Sequence, residues 1–212
     1  MPNRSDGISI QNSQEVNIGD SDPAFAGINF IAGNSGDGMD VSASKNISIL
    51  ANWIGVNNTG AGVEPNGGHG VFISHSTNVL VGTVSNGNSI ISGNASNGIQ
   101  VVGGDPAQPV VIQRAVIGAD INGTAALPNG GCGIVLENTS SNQIGCGAAD
   151  AGNLISGNTG SGVLITGADA SGNLVRGNML GTDVTGAQAL PNGDCGVHTE
   201  KQHDQCERFR WC

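Results

Sequence analysis

Several residue types are scarce in this sequence of 212 residues. It has no tyrosine, aromatic residues make up 3% of the chain, and charged residues make up only 11%. No apolar run is long enough to span a membrane as a helix. The five cysteines form no C-x-x-C pair and no zinc-type spacing, and their odd number argues against a complete disulfide framework. The sequence therefore gives no indication of a membrane span, a zinc finger or a disulfide-stapled domain.

Basic residues are also few, which bears on the partners that the chain can have. Seven lysines and arginines stand against 17 aspartates and glutamates, giving a formal net charge of −10. An acidic surface repels the phosphate backbone of nucleic acids. We therefore expect no nucleic-acid partner.

Glycine and asparagine are abundant, and they recur at a fixed interval. Four segments that share a Pro-Asn pair and end on glycine follow one another at equal spacing: MPNRSDG (Met1–Gly7), EPNGGHG (Glu64–Gly70), LPNGGCG (Leu127–Gly133) and LPNGDCG (Leu190–Gly196). A fixed period of this size is typical of a solenoid. Because the chain opens within a copy of the repeat, the sequence favours a segment of a longer protein.

Each 63-residue unit contains two short openings of the form Gly-apolar-x-apolar. They begin at Gly7, Gly38, Gly70, Gly98, Gly133, Gly162 and Gly196, and the first, third, fifth and seventh of these are spaced by the full 63-residue period. Alternating apolar residues predict strands with one buried face. In the central openings, this predicts that Val71, Ile73, Ile134 and Leu136 point into the core. Further short apolar elements raise the count to about three strands per coil.

This pattern leaves no room for helices, so it predicts an all-β parallel β-helix. We expect about six coils in three double-coil units, 2–64, 65–127 and 128–190, within one repeat domain of residues 1–197. Residues 198–212 depart from the pattern, since Thr199 stands where an apolar residue is expected. They are predicted to be a non-repeat cap or an out-of-frame end.

Two loop features follow from the double coil. Every second coil carries an extra excursion, such as residues 182–195, in which proline and Asn-Gly return the chain to the next strand. Stacked excursions should form a ridge on one side of the solenoid. Asn34, Asn94 and Asn158 each follow a glycine at a coil corner, where an inward amide can bond backbone groups.

The segment NLISGNTGSGVLITGADASGNLVRGNMLGTDVTGAQALPNGDCGV (153–197) resembles the right-handed parallel β-helix proteins of the pectin-lyase-like superfamily. Within that superfamily it is similar to the Gly/Asn-rich repeats of large bacterial surface or secreted proteins. The resemblance covers residues 2–197. It implies right-handed winding and an extracellular or cell-surface location, and the activities of the superfamily range from lyases and hydrolases to adhesins and passive stalks.

The residues offer little catalytic chemistry. Asp120 and Asp183 occupy equivalent positions two coils apart, about 10 Å between backbones, which does not exclude a pair of glycosidase carboxylates. The equivalent position in the first unit is Asn57, so a turn-forming role is favoured. In the next two copies His69 is replaced by Cys132 and Cys195, and a loop role is favoured over catalysis. No cofactor is predicted, although a lyase of this fold would need Ca²⁺ and a basic residue.

The candidate bases for such a lyase are Arg114 and Arg176, which align with each other in adjacent units and for which a role in a surface ladder is favoured. Trp53 aligns with Val116 and Met179 and is predicted to pack in the core rather than to bind sugar. Cys132 and Cys195 should not bond to each other, because two coils place them roughly 9.6 Å apart and a disulfide needs Cα atoms within about 7 Å.

Two function hypotheses remain open. The first is a non-catalytic scaffold or adhesin-like segment of a large extracellular or surface protein, flanked by further repeats of the same chain. The second is a carbohydrate-active β-helix, a polysaccharide lyase or hydrolase, or a module that binds polysaccharide or cell-surface glycan.

Overall fold

The computed structural model describes residues 3–20, 28–83, 89–145 and 152–201. All regular structure in these residues is β, in nineteen strands. The described part contains no helix long and apolar enough to cross a membrane. The strands form three parallel sheets, named here A, B and C, and each successive strand along the chain joins the next sheet in turn.

Sheet A has seven strands, which are β1 (Ile8–Gln11), β4 (Met39–Ser42), β7 (Val71–Ser74), β10 (Ile99–Val102), β13 (Ile134–Glu137), β16 (Val163–Thr166) and β19 (Val197–Glu200). Sheet B has six, which are β2 (Gln14–Ile18), β5 (Lys45–Leu50), β8 (Thr77–Gly82), β11 (Val110–Gln113), β14 (Gln143–Ile144) and β17 (Leu174–Val175). Sheet C has six, which are β3 (Asn29–Ile31), β6 (Asn52–Ile54), β9 (Ser89–Ile91), β12 (Ala115–Ile117), β15 (Leu154–Ile155) and β18 (Met179–Leu180).

Each coil contributes one strand to each sheet, which confirms the predicted parallel β-helix. Six coils, β1–β3 through β16–β18, are followed by β19 as the start of a seventh. The seven openings predicted from glycine spacing are the seven strands of sheet A. Two coils make one repeat unit, because β7, β13 and β19 occupy alternate rungs of sheet A.

The strands pair so that predicted apolar positions stack in columns. Val71 lies opposite Met39 and Ile99, and Ile134 lies opposite Ile99 and Val163. The side chains of Val71, Ile73, Ile134 and Leu136 are all 0% exposed, as predicted. Burying such a column removes apolar surface from water, at about 25 cal/mol per Å², which is what holds one coil to the next.

The regular structure extends past the predicted end of the repeat domain. Strand β19 pairs with β16, and Thr199 lies opposite Ile165, the apolar position that it replaces. Sheet A therefore includes residues 198–200, which the sequence analysis assigned to the tail. Residues 202–212 lie outside the described residues.

A ladder of asparagine side chains lines one corner of the solenoid, with one residue from each of the six coils and one more from the segment before β1. The Nδ2 atom of each asparagine donates to Oδ1 of the next at 2.7–3.0 Å. The members are Asn3, Asn34, Asn66, Asn94, Asn129, Asn158 and Asn192. The asparagine of each Pro-Asn segment therefore fills the same position as the predicted corner residues Asn34, Asn94 and Asn158.

This ladder explains why the Pro-Asn segment is repeated. Asn129 Nδ2 also donates to the carbonyl oxygen of Ile91 at 3.0 Å, and its Oδ1 accepts from the backbone N–H of Asn94 at 3.1 Å. Buried backbone groups must be paired, and the ladder amide pairs those that the turn leaves open. After each excursion the chain must bring an asparagine back to the ladder.

The first turn after each strand of sheet A has left-handed backbone. The residue directly after the strand has φ of 50°, 47°, 48°, 65°, 46° and 101° in the first six coils. These residues are Asn12, Ala43, His75, Gly103, Asn138 and Gly167. Glycine and asparagine suit this conformation, whereas alanine is strained there.

Candidate functional site

The extra excursions of the even coils are small hairpins. Each is closed by one antiparallel bridge, between Val56 and Val63, between Ala119 and Ala126, or between Thr182 and Ala189. We call residues 56–63, 119–126 and 182–189 hairpins 1, 2 and 3. The N–H of Ile121 donates to the carbonyl oxygen of Gly60 at 3.0 Å, and that of Val184 donates to Gly123 at 2.9 Å. The hairpins therefore stack as the predicted ridge.

The ridge covers the outer face of sheet C. Trp53 is 9% exposed and packs with Val56 and Ile90 in a cluster separate from the central core. A second such cluster contains Val116, Ala119 and Leu154 under hairpin 2. Trp53 is thus buried as predicted, but it belongs to the layer between sheet C and the hairpins rather than to the interior of the solenoid.

Asp120 organises the turn of hairpin 2. Its Oδ1 accepts the backbone N–H groups of Thr124 at 2.8 Å and Ala125 at 2.9 Å, and its Oδ2 accepts Nδ2 of Asn122 at 3.3 Å. The side chain is buried, with 6% of the residue exposed. These are the contacts of a turn-forming aspartate, as the sequence favours.

Asp183 plays the same part in hairpin 3. Its Oδ1 accepts the hydroxyl of Thr185 at 2.8 Å and the backbone N–H groups of Thr185, Ala187 and Gln188 at 3.1–3.2 Å. The Thr185 hydroxyl, followed by the backbone N–H groups, lowers the pKa of Asp183 below its ordinary 3.8. A glycosidase acid needs a raised pKa, so this shift has the wrong sign for that role.

Asn57 does in hairpin 1 what the two aspartates do in hairpins 2 and 3. Its Oδ1 accepts the hydroxyl of Thr59 at 2.7 Å and the backbone N–H groups of Thr59 at 3.1 Å and Gly62 at 3.3 Å. An uncharged amide oxygen therefore suffices for the turn. The three equivalent side chains make the same kind of turn-forming hydrogen bond, each within its own hairpin.

A second column of polar side chains lies just before the strands of sheet A. Asp37 Oδ1 accepts the backbone N–H of His69 at 2.6 Å, and Asn97 Oδ1 accepts that of Cys132 at 2.8 Å. The Nδ1 of His69 is buried without a hydrogen-bond partner, while its ring stacks on Phe72 at 5.7 Å. Burial lowers the pKa of His69, which keeps the ring neutral near pH 7. This is a loop histidine in its predicted place.

The two cysteines of this column stand two rungs apart. Cys132 precedes β13 and Cys195 precedes β19, with β16 between those strands. They do not form a disulfide, in agreement with the two-coil unit. Burial raises the pKa of the Cys132 thiol, so this thiol is protonated and weakly nucleophilic near neutral pH.

Arg114 and Arg176 are not equivalent residues, contrary to the alignment expected from the sequence. Arg114 has left-handed backbone with φ of 50°, as do Ala51 at 52° and Gly177 at 68°, its equivalents at the 63-residue period. Arg176 stands one position earlier in its turn. The two guanidinium groups therefore do not form a repeated row on the surface.

The structure brings together three residues to which sequence analysis assigned no role as a group. The side chains of Asp194, Cys195 and His198 place their potential ligand atoms within 4.8 Å of one another. Their spacing along the chain matches no familiar zinc motif, which is why the pattern gave no signal. Of the residues that the structure describes, these form the one cluster with metal-ligating character.

No family model and no curated protein sequence matches the chain. Among solved structures, the A-module of a mannuronan C-5 epimerase from Azotobacter vinelandii is similar, with 14% sequence identity and a TM-score of 0.44. The match covers 94% of this chain and 52% of the epimerase module, so this chain spans about half of the length of that module. At this level of similarity, the fold assignment rests on the strand pairing itself, which makes this chain a parallel β-helix.

Proposed function

We propose that this chain is a non-catalytic scaffold segment of a large extracellular or cell-surface protein of the pectin-lyase-like superfamily. The observation that carries the proposal is the role of the best catalytic candidates. The carboxylate oxygens of Asp120 and Asp183 accept backbone N–H groups of their own hairpins, and Asn57 fills the same role in hairpin 1. A position that accepts asparagine is not under the demands of acid–base chemistry.

The two ends of the solenoid support a place among further coils. Phe30 at the first coil is 50% exposed, and Met179 and Val197 at the other end are 43% and 39% exposed. In central coils the equivalents of Phe30 and Met179 are buried under the hairpins, and those of Val197 are buried between neighbouring coils in the core. Flanking repeats of the same longer chain would supply that cover, as the scaffold proposal requires.

An activity screen tests the proposal. The full chain should produce no double bonds and no new reducing ends from pectate, alginate or other acidic polysaccharides, with or without Ca²⁺. Asp183→Asn and Asp120→Asn should leave the circular dichroism spectrum unchanged, since Asn57 keeps the same turn. Cleavage that disappears in either folded variant would overturn the scaffold proposal and favour the enzyme.

One observation favours a second candidate, a module that binds polysaccharide or surface glycan without cleaving it. Phe30 meets Trp53 edge-to-face, with ring centroids 5.3 Å apart, and presents an exposed aromatic surface on sheet C. Carbohydrate and other ligand sites commonly use such aromatic surfaces. If a polysaccharide retards the chain in affinity electrophoresis, Phe30→Ala should abolish the retardation. Met179→Ala, at the opposite end of the same row, is the matched control.

A further inference from the structure

The cluster at the end of sheet A has the donor set of a transition-metal site. Cys195 Sγ lies 3.8 Å from Asp194 Oδ1, and Nδ1 of His198 lies 3.8 Å from Asp194 Oδ2. Asp194 and Cys195 belong to the turn before β19, and His198 projects from β19 itself. The side chains of His198 and Asp194 are 34% and 55% exposed, so an ion can reach them from solvent.

The cluster arises where the last copy, Leu190–Gly196, departs from the repeat. The position of Asp194 is Ser5, Gly68 and Gly131 in the three earlier copies, and the position of His198 is Ser9, Phe72 and Val135. Two of the three ligand types thus appear together in one copy only.

The residue facing Asp194 from the preceding coil has changed as well. A side chain at Gly68 would meet Asp37 Oδ1 at 2.1 Å, and one at Gly131 would meet Asn97 Oδ1 at 2.2 Å. In the coil before Asp194, the position equivalent to Asp37 and Asn97 is the shorter Ser161, which leaves room for the carboxylate. The hydroxyl of Ser161 donates to Asp194 Oδ2 at 3.2 Å, and Ser161 is 2% exposed.

We propose that Asp194, Cys195 and His198 bind a zinc-class divalent transition-metal ion, with Ser161 as an outer partner that orients the carboxylate. One thiolate, one imidazole and one carboxylate suit Zn²⁺, whereas Ca²⁺ prefers a shell of oxygens. Three protein ligands leave the fourth position of a tetrahedral site to water. The bound ion would tie the turn before β19 to the strand.

Cobalt(II) is the probe that tests this site, because its bond to a thiolate has a charge-transfer band in the near ultraviolet. The titration uses the full chain in which Cys146, Cys206 and Cys212 are changed to serine and His203 to glutamine. One equivalent of Co²⁺ should produce the band, and Zn²⁺ should displace it. Cys195→Ser should abolish the band, whereas Cys132→Ser should keep it, because Cys132 has Gly131 and Val135 in place of the other two ligands.

The remaining variants separate a built site from adventitious binding to a thiol. Asp194→Gly restores the glycine of two earlier copies and should therefore fold. It and His198→Gln should each weaken binding at least about tenfold, and Ser161→Ala about tenfold, as expected for an outer partner. Unchanged affinity in Asp194→Gly and His198→Gln, or a band that survives in Cys195→Ser, would overturn the proposal. Zn²⁺ should also raise the melting temperature of the parent chain and not that of Asp194→Gly.

Discussion

The middle and the last coils of the solenoid have equivalent residues but different surroundings. Val116 in the fourth coil is 6% exposed, and its equivalent in the sixth coil, Met179, is 43% exposed. The next residue in each strand faces the central core. Ile117 is 0% exposed there, whereas its equivalent Leu180 is only partly buried. The difference lies in the neighbours. Val116 packs with Ala119 and Leu154 under hairpin 2, and sheet C has strands on both sides of β12 but none beyond β18 among the described residues. In a solenoid, burial is a property of the stack rather than of the single repeat.

Truncation of the central column should have the largest effect. Ile117→Ala removes most of a fully buried side chain and should cost about 4 kcal/mol in the free energy of unfolding, as cavity-forming substitutions do. Leu180→Ala, at the equivalent position of the last described coil, should cost about 1 kcal/mol, because its surface is already partly in water. Urea unfolding followed by circular dichroism measures both.

The pair of variants also tests whether the described coils unfold as one unit. If Leu180→Ala broadens the transition or adds a second one, the last coil separates from the rest before the middle unfolds. Equal costs for the two variants would contradict the comparison, since they would mean that the end is packed as tightly as the centre.

The ladder gives a comparison of the same kind for hydrogen bonds. Asn129 is 0% exposed and bonded on both sides, to Asn94 and to Asn158. Asn129→Ala leaves the buried backbone N–H of Asn94 without its acceptor and removes the shortest hydrogen bond of Asn94 Nδ2, and should cost about 3 kcal/mol. Asn3→Ala, at the exposed end of the ladder, should cost about 0.5 kcal/mol.

Hydrogen exchange can localise this effect. In Asn129→Ala, the backbone N–H of Asn94, which donates to Asn129 Oδ1 at 3.1 Å, should exchange faster than in the parent chain. No change in its protection would mean that water replaces the lost amide, and the ladder would then be dispensable for stability.

The columns of the fold could be predicted because alternating apolar residues mark each strand and the regular spacing of glycines marks where each coil begins. The glycines of the seven openings located every strand of sheet A, and Asn34, Asn94 and Asn158 located part of the ladder. Asn66, Asn129 and Asn192 were missed because Pro-Asn-Gly also has a sufficient explanation as a turn. Their inward position depends on how far the hairpin carries the chain before it returns, which spacing alone does not determine.

The metal-ligating cluster was missed for a related reason. Each of its residues is unremarkable in sequence, and the room for Asp194 depends on Ser161, which belongs to the preceding coil. Trp53 shows the same limit. Its apolar repeat position predicted burial, but only the placement of hairpin 1 determines that it is buried outside sheet C rather than inside the solenoid.

The hairpins differ in how they respond to acid. Because the pKa of Asp183 is lowered in the folded chain, its carboxylate stabilises hairpin 3 fully above the ordinary value of 3.8. That contribution is lost as the pH falls through the lower folded value. The amide chemical shifts of Ala187 and Gln188 should follow this titration, and Asp183→Asn should abolish it. Hairpin 1, which has Asn57, should show no such titration.

Thr185 sharpens this prediction, because its hydroxyl is the largest cause of the shift. Thr185→Val removes the hydroxyl and keeps the shape of the side chain, so the midpoint of the titration should move upward toward 3.8. A midpoint that stays unchanged would show that the backbone N–H groups alone hold the carboxylate.

The smallest predicted effect concerns two exposed alanines whose φ angles differ in sign. Ala43 has φ of 47° in a turn where the fourth and sixth coils have Gly103 and Gly167, whereas φ of Ala95 is not positive. A left-handed alanine costs about 1–2 kcal/mol, and glycine loses about 0.5–1 kcal/mol more in chain entropy on folding than alanine. The first term exceeds the second only at Ala43. Ala43→Gly should therefore stabilise the chain by about 0.5 kcal/mol, and Ala95→Gly should destabilise it by a similar amount. Urea midpoints at equal slope measure both, and a loss of stability in Ala43→Gly would mean that the turn holds alanine without strain.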